Sequence, residues 1–370
     1  MRELQAMEMH FTIEQRVSRF KAYYARKNSR PLLGFFVGSE YPVHRYMAAR
    51  KLPGGRPLVP EEINCEDYLT DCDRLFEEHE QVGGDFIYSA SAFWGIPWLE
   101  AALGCEIITD HSSGSIYSEP LRNFKGVQSL PDFDRWSGWM AKAVEFIDKM
   151  AEHSNGRWPI GTTRMRGISD LLSALYGADK FVFAMMERAD EVQDICRKLT
   201  EFWIEFGKLQ LEHIPLFSGG IGSFYYNMWA PAGTIWHQED SAALLSPKLY
   251  DEFIRPYDEQ IIAAFDGCIM HQHPTGFVPT EFYLNMDFTA LELHIDHGGP
   301  GAEELYEIHC RILEKKPLLI WGDIQQKDLD WIFSKLPHRG LAVMTCVNGL
   351  AQSAEIWSRY IKEVGCKKDE

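Results

Sequence analysis

The chain has 370 residues, a formal net charge of −17 at pH 7 and 45% hydrophobic residues, which is ordinary for a globular protein. The acidic excess argues against a nucleic-acid partner, because phosphate binding needs clustered Lys and Arg side chains. The sequence has no apolar run long enough for a membrane helix, and residues 1–27 are charged throughout, unlike a signal peptide. We therefore expect a cytoplasmic protein with a small-molecule or protein partner.

Eight cysteines are scattered along the chain without the regular spacing of a disulfide scaffold. No CxxC pair occurs among them. We interpret them as thiols, one of which could bind a metal.

Eight short apolar runs recur along the chain, and longer amphipathic stretches separate them. Near-continuous apolar strands that alternate with amphipathic helices indicate a parallel sheet covered by helices. Eight such units predict an α/β fold, a closed (β/α)8 or TIM barrel that forms one domain over residues 1–370, with an N-terminal helix in residues 1–30. The predicted strands are residues 31–37, 84–90, 158–164, 219–226, 266–273, 289–296, 317–323 and 340–346.

The stretches between these runs have the apolar spacing of helices. In residues 189–214, apolar side chains recur three or four positions apart. Residues 246–265 begin with Ser-Pro, an N-cap followed by a first-turn proline. The connections after the first two strands, residues 38–83 and 91–157, are long, and we expect both to cover the mouth of the barrel.

Polar side chains follow the predicted strands at the ends where barrel enzymes place their active sites. His271 and His273, in IMHQHPTG, follow the fifth strand, and Cys346 ends the eighth. Residues i and i+2 of a strand point the same way, so the two histidines could bind one ion. Two histidines and a cysteine, with an open fourth position, form a catalytic Zn²⁺ arrangement. The alternative is an exposed histidine pair and a buried, structural cysteine.

Several segments after residue 80 resemble the uroporphyrinogen decarboxylase superfamily, which includes zinc-dependent methyltransferases that act with corrinoid proteins. The resemblance implies a (β/α)8 barrel, in agreement with the eight apolar runs. It rests on GGDFIYSASAFWGIPWLEAALGCEI, GISDLLSALYGADKFVFAMMERADEV, WHQEDSAALLSPKLYDEFIRPYDEQI, HQHPTGFVP, PLLIWGDI and MTCVNGLAQSAE.

The resemblance separates two branches of this superfamily. The decarboxylases carry an N-terminal arginine motif, whereas the first predicted strand here is followed by GSEYPVHRYM. The methyltransferases carry His-x-Cys and a later Cys; His271 and Cys346 match the first and last members, and His273 replaces the middle cysteine. An imidazole in place of a thiolate makes the ion more electrophilic, so polarising an ether or alcohol oxygen is a candidate reaction beside thiol activation.

The resemblance therefore implies a methyltransferase with one Zn²⁺ per chain. The cobalt-ligand motif Asp-x-His-x-x-Gly is absent from the sequence, so we expect a separate corrinoid protein to supply the corrinoid. Members of the superfamily commonly pair, which implies a possible homodimer. The methyl donor, the acceptor and the direction of transfer are left open.

Carboxylates near the strand ends are further catalytic candidates. Asp240 and Glu40 could each be an additional metal ligand or a general base. His294 and Asp296 could orient a ligand histidine or move a proton. Solvated loop charges, helix-end carboxylates and a satisfied core histidine are the alternatives.

Substrate-binding candidates lie after the third and fourth predicted strands. Arg164 and Arg166 could clamp a carboxylate, or they could form salt bridges with the acidic surface. Three aromatic residues could stack on a flat substrate ring, or they could be packing: Tyr225, Tyr226 and Trp229.

Two other functions stay open. A metal-free decarboxylase anchored by Arg164 and Arg166 would keep its activity under chelation. A non-catalytic small-molecule-binding barrel would bind a ligand without turnover. Metal content separates the methyltransferase from both.

Overall fold

A computed structural model describes residues 9–136, 138–223 and 226–364 of the chain. Its strands alternate with helices along the sequence. The strands are β1 (Leu32–Val37), β2 (Ile107–Asp110), β3 (Ser115–Ser118), β4 (Gly161–Thr162), β5 (Gly220–Ser223), β6 (Met228–Pro231), β7 (Thr234–Gln238), β8 (Gly267–Gln272), β9 (Ala290–Ile295), β10 (Leu318–Gly322) and β11 (Leu341–Val347).

The helices lie mostly between these strands. The long helices carry one buried face each; in the helix over Ala189–His213, this face includes Val192, Ile195, Leu199 and Trp203. The α-helices are α1 (Ile13–Tyr24), α2 (Pro42–Arg45), α3 (Cys65–Val82), α4 (Trp98–Ala102), α5 (Gly138–Ser154), α6 (Ile168–Tyr176), α7 (Lys180–Glu187), α8 (Ala189–His213), α9 (Pro247–Phe253), α10 (Arg255–Ala263), α11 (Thr280–Tyr283), α12 (Tyr306–Lys315), α13 (Gln326–Lys335) and α14 (Leu350–Val364).

The central sheet has six strands in the order β1-β11-β10-β9-β8-β7. All five pairings are parallel, so the carboxyl ends of the six strands lie at one edge. Most side chains of these strands are buried on both faces, which explains why the sequence shows continuous apolar runs instead of alternation. The predicted α/β class is confirmed.

The fourth predicted strand forms in part but does not join the central sheet. Residues 219–226 contribute β5, but β5 pairs with β4 and, antiparallel, with β6 in a separate three-stranded sheet. The strand that joins the central sheet is β7, which follows β6 after a two-residue turn. TIWHQ has only five residues and follows β6 after Ala232 and Gly233, so the sequence analysis did not recognise it as a separate strand.

Residues 84–90 form no regular strand, although their backbone bridges neighbouring segments. Asp85 N donates to Leu33 O of β1 at 2.9 Å, and Ala90 forms an isolated parallel bridge with Ile160. A second isolated bridge joins Arg166 and Gln238 of β7. These contacts lie between the two edges of the central sheet without a continuous ladder, so the closed barrel stays a prediction.

The predicted helix over residues 246–265 is divided into α9 and α10. Ser246 accepts a hydrogen bond from Leu249 N, as expected of an N-cap. The break falls at Ile254, just before Pro256, because proline lacks the N–H that would continue the helix.

The two long connections contain structure of their own. Residues 38–83 include α2 and α3, and residues 91–157 include α4, the β2–β3 hairpin and α5. Among the described residues, none of the helices combines the length and the apolar character needed to cross a membrane.

Candidate metal centre

The carboxyl ends of β7, β8 and β9 bring histidine and carboxylate side chains together. His271 of β8 lies opposite Gln238 of β7 and Glu292 of β9 in the parallel register. His273 follows β8 and Asp240 follows β7 by two residues. Potential ligand atoms of Asp240, His271 and His273 all lie within 4.8 Å of one another.

His271 is held through one ring nitrogen. Its Nδ1 contacts the buried carboxylate of Glu292 and lies 2.9 Å from the Tyr226 hydroxyl. Its other nitrogen, Nε2, is 3.6 Å from Asp240 Oδ1. That carboxylate oxygen is buried and has no hydrogen-bond partner in the described part of the chain. A carboxylate on Nδ1 of a histidine leaves Nε2 to bind a metal, an arrangement common at metal sites.

His273 has the same kind of support. Its Nδ1 is 2.8 Å from Asp296 Oδ1, and its ring centroid lies 4.6 Å from that of His271. Each histidine of the predicted pair is therefore oriented by a carboxylate from or just after β9: Glu292 for His271 and Asp296 for His273. This geometry supports chelation by both Nε2 atoms and a carboxylate oxygen of Asp240.

The electrostatics of this cluster reflect its shortage of positive charge. Burial lowers the pKa of His273, but the Asp296 hydrogen bond and the charge of Asp240 outweigh it and bring the pKa to about 9. Burial raises the pKa of Asp240, and the nearby His271, His273 and Arg166 more than offset this, so the net shift is downward. The pKa of Glu292 is raised by burial, against the lowering effect of His271.

His294 of β9 completes the group of histidines. Its ring stacks on Trp321 at 4.7 Å, and its Nε2 lies 3.8 Å from Glu40 Oε2 and 3.9 Å from Asp296 Oδ1. Burial and the positive charges on His273 and His271 lower its pKa to about 3, so its ring is neutral.

A cavity of about 280 Å³ opens beside these side chains. Both long connections contribute to its wall, as predicted: Tyr41 and Pro42 from the first, and Trp94, Ser115 and Ile116 from the second. The other lining residues are Glu40, Arg164, His273, His294 and Asp296.

Cys346 lies apart from the histidine pair. It lines a neighbouring cavity, also of about 280 Å³, with Glu40, Tyr41 and Asp323. Among the described residues, no group of three mutually close ligand atoms includes Cys346. Burial, followed by the charges of Glu40 and Asp323, raises the pKa of its thiol to about 12. The structure thus brings His271 and His273 together without Cys346, and Asp240, predicted as an additional ligand or a general base, is the third member of their group.

The two arginines have different surroundings. Arg166 forms an ion pair with the buried Glu100 at 3.0 Å, and its Nε lies 3.9 Å from Asp170. Arg164 lines the cavity beside His273 and donates to Gly95 O at 3.4 Å. Of the two arginines, Arg164 lines the cavity beside His273, and Arg166 is paired with carboxylates.

The predicted aromatic residues also differ in their surroundings. Tyr226 is buried, stacks on Trp236 at 4.1 Å and contacts His271 through its hydroxyl. Trp229 is buried in β6, where its indole N–H donates to Phe217 O and its carbonyl accepts from Tyr24 of α1. Tyr225 lies outside the described residues. Tyr226 therefore contacts a histidine of the candidate site, whereas Trp229 is part of the hydrophobic core.

Glu292 was missed by the sequence analysis. It lies in TALELHID, two positions before His294 and four before Asp296, so the pleat of β9 directs all three toward the same side. A carboxylate inside a continuous apolar run was the signal, since burying an unpaired charge is costly.

A second histidine–carboxylate cluster lies beneath the first and has no exposure at all. It consists of His237, Glu239 and Asp258. Asp258 is 2.7 Å from His237 Nε2 and accepts from the Tyr250 hydroxyl at 2.6 Å. Glu239 accepts from the backbone N–H groups of Ile168 and Ser169, at 2.6 and 2.9 Å, at the start of α6.

Gly167 makes this approach possible. Its N–H donates to Gln238 O at 2.6 Å, and a Cβ there would collide with both that oxygen and the Glu239 carboxylate. From α6, Asp170 in turn accepts from the backbone N–H groups of Asp240 and Ser241, at 3.1 and 2.8 Å. The buried cluster therefore fixes the loop that carries Asp240.

A parallel α/β sheet whose strand ends gather polar side chains around a cavity is the arrangement of α/β enzymes. The family model for uroporphyrinogen decarboxylase (URO-D) matches residues 77–214 of the chain. No curated protein matches the chain significantly. The matched range includes Arg164 and Arg166 but none of the histidines discussed above.

Proposed function

We propose that the protein is a metal-dependent methyltransferase, which transfers a methyl group between a small molecule and a separate corrinoid protein. One observation carries the proposal: Asp240, His271 and His273 converge at the edge of a cavity, and Asp240 Oδ1 is buried there without a hydrogen-bond partner among the described residues. The match of the uroporphyrinogen decarboxylase family model to residues 77–214 is consistent with it, because the superfamily includes decarboxylases and methyltransferases.

The donor set fits Zn²⁺. Imidazole nitrogen and carboxylate oxygen are both common zinc ligands, and two histidines with one carboxylate form a known catalytic set. The 3.6 Å separation of His271 Nε2 and Asp240 Oδ1 is compatible with one ion, because ligand atoms about 2.1 Å from an ion lie at most about 4.2 Å apart. When bound, the ion would act as a Lewis acid on an oxygen or sulfur of the methyl-bearing molecule.

The remaining side chains prepare the site. Glu292 and Asp296 hold the two histidines by Nδ1, which fixes the nitrogen that faces the ion. Arg164 would attract a negatively charged group of the substrate, and Trp94 and Ile116 offer apolar surface for its body. Docking at the cavity mouth would bring the corrinoid of the partner protein to the methyl group.

The test begins with metal content. Protein purified without a metal-affinity tag is expected to contain bound zinc, and Asp240→Asn and His271→Ala should each lose the ion at their site while keeping the circular dichroism of the wild type. His297→Ala is the matched control, because His297 is an exposed histidine in the turn after β9.

The activity assay then uses free cob(I)alamin as the methyl acceptor and a panel of methyl ethers and methyl thioethers. Formation of methylcobalamin, abolished by chelation and reduced at least about 100-fold in His271→Ala, supports the proposal. Retained metal in both variants, or methyl transfer indifferent to chelation, would contradict it.

A carboxy-lyase is a second candidate, favoured by the place of Arg164 in the cavity wall. An arginine there could hold a substrate carboxylate without any metal. This alternative predicts release of CO₂ from carboxylated substrates that survives chelation and is lost in Arg164→Gln. Those two results together would replace the methyltransferase proposal.

A further inference from the structure

A cavity of about 590 Å³ lies at the edge of the central sheet opposite the candidate metal centre. Its lining residues come shortly before β1, β10 and β11, which are neighbouring parallel strands. The amino-terminal ends of parallel strands share one edge of a sheet, whereas Asp240, His271 and His273 lie at the carboxyl ends. The cavity is therefore separate from the site described above. It is lined by Arg26, Asn28, Ser29, Leu313, Glu314, Pro337, His338 and Arg339.

Two arginines in the wall of this cavity have no carboxylate partner. Arg26 and Arg339 form no ion pair with any carboxylate that the structure describes. Within the described lining, Glu314 is the one acidic residue. The whole chain has 54 acidic residues and 37 lysines and arginines, so an excess of positive charge in one cavity runs against its overall charge. Positive charge concentrated in a concave surface attracts anions.

A neighbouring cavity of about 250 Å³ extends this positive charge. It shares Ser29 with the first cavity and is also lined by Arg19, Lys27 and Arg30. Arg19 and Arg30 both pair with the carboxylate of Asp85, which is fully buried. Two guanidinium groups on one carboxylate leave one positive charge unbalanced, and Lys27 has no carboxylate partner in the described part of the chain.

Asn28 ties together the two segments that carry the unpaired arginines. Its side-chain amide donates to His338 O at 2.8 Å, and its side-chain carbonyl accepts from Gly340 N at 2.7 Å. The loop before β11, which carries Arg339, is thus fixed to the connection before β1, which carries Arg26. A binding site whose parts are already in place loses less conformational entropy when a ligand binds.

The side chain of Arg26 is positioned by main-chain neighbours. Its Nη2 donates to Leu313 O near the end of α12. Gly340 has a φ of +74°, and a Cβ there would lie 2.9 Å from Arg26 Cγ, so glycine leaves room for the arginine. Arg26 itself has a φ of +53°, a conformation in which glycine or asparagine is the usual residue after a helix. An arginine in this conformation is consistent with a role for its side chain.

We propose that this cavity binds a small phosphorylated molecule with a hydroxyl-bearing body, such as a sugar phosphate. Guanidinium groups pair with phosphate oxygens through two parallel hydrogen bonds, so Arg26 and Arg339 would hold the phosphate group. Ser29, which is exposed in the lining, would add a hydroxyl donor. Glu314 would repel a second anionic group and accept hydrogen bonds from the hydroxyl groups of the body. The volume of the cavity is typical of small-molecule sites.

Isothermal titration calorimetry with ribose 5-phosphate, on the full chain in a phosphate-free buffer of constant ionic strength, tests this site. We expect saturable binding at one site per chain, weaker binding of inorganic phosphate and no binding of ribose. Arg339→Gln should lower the affinity for ribose 5-phosphate at least about 10-fold, because charge-assisted hydrogen bonds are lost. Arg122→Gln is the matched control, since Arg122 is an exposed arginine beyond the β2–β3 hairpin, outside the cavity.

The outcomes decide the site and its ligand separately. Equal affinity of the wild type and Arg339→Gln, or no saturable binding of either phosphate at millimolar concentration, would overturn the site. Glu314→Ala should bring the affinities for ribose 5-phosphate and inorganic phosphate closer together, and an unchanged ratio would overturn the hydroxyl-bearing body. Because Arg339 is exposed, its variant should keep the fold. Binding should persist after chelation, so the result does not depend on the proposed function.

Discussion

Two clusters of histidine and carboxylate side chains lie beside β7, and they differ in how their polar atoms are satisfied. In the cluster of His237, Glu239 and Asp258, the carboxylates receive backbone, hydroxyl and imidazole hydrogen bonds. In the cluster of Asp240, His271 and His273, a carboxylate oxygen is left without a partner among the described residues and a cavity opens alongside. Residue composition alone does not separate a structural cluster from a binding site, and one unpaired polar atom does not either, because His237 Nδ1 of the first cluster is also buried without a partner among the described residues. The difference is an unpaired carboxylate oxygen with a cavity beside it.

The largest expected effect is on stability and concerns the buried cluster. Glu239→Ala would leave the N–H groups of Ile168 and Ser169 without their acceptor and open a cavity. We expect the free energy of unfolding to fall by about 3–5 kcal/mol, measured by urea denaturation. The exposed Glu61→Ala should change it by less than about 0.5 kcal/mol. Loss of bound metal in Glu239→Ala without loss of stability would reverse the roles of the two clusters.

The next effect concerns metal affinity and the buried partner of His271. Glu292→Gln keeps the size of the side chain but weakens the hydrogen bond that orients His271. Replacing such a partner typically costs about 10–100-fold in metal affinity. Competition with a chromogenic chelator measures the change, which should leave the urea midpoint nearly unaltered. Unchanged affinity would show that Glu292 does not position the ligand.

A smaller effect is expected in the pH dependence of stability. Burial raises the pKa of Asp258 to about 7 from 3.8, against the lowering effect of the Tyr250 hydrogen bond. The folded protein therefore binds a proton that the unfolded chain releases, and the stability this provides is complete below pH 3.8 and lost as the pH rises through about 7. Asp258→Asn should show a flatter decline of the free energy of unfolding over this range. A decline equal to that of the wild type would contradict the raised pKa.

The smallest effect is expected for Cys346. Because the structure places it in the neighbouring cavity, Cys346→Ser should retain the ion at Asp240, His271 and His273 and change stability by no more than about 1 kcal/mol. Mass spectrometry of the purified variant measures this directly. Loss of the ion in Cys346→Ser would restore the ligand set that the family resemblance implies.

Sequence patterns identified polar residues that come together in the structure, but they missed one strand of the central sheet. His271, His273, Asp240 and Asp296 were recognised because polar residues at the ends of apolar runs are easy to see, and these residues do converge. The strand β7 was missed because a hairpin precedes it without a separating loop. Neither the polar residues at strand ends nor the apolar runs show how far apart two strands lie in the sheet.

The position of Cys346 relative to His271 and His273 could therefore not be predicted from the sequence. It lies one residue before the end of β11, which pairs with β1 and β10 and not with β8. Glu40 and Tyr41 of the first connection line both cavities. The spacing of His271 and Cys346 along the chain matched a zinc motif. Their arrangement in space depends on side chains of the first connection, and no periodicity in the sequence predicts the path of that loop.

Gly167 has a consequence for how sequences of this protein can vary. A Cβ at this position would meet a main-chain oxygen as well as a side chain, so no compensating change at position 239 can make room for it. We therefore expect selection against any substitution of Gly167, even where the chemistry of the cavity changes. Position 167 is thus expected to be invariant in descendants that gain new substrates and even in those that lose their metal.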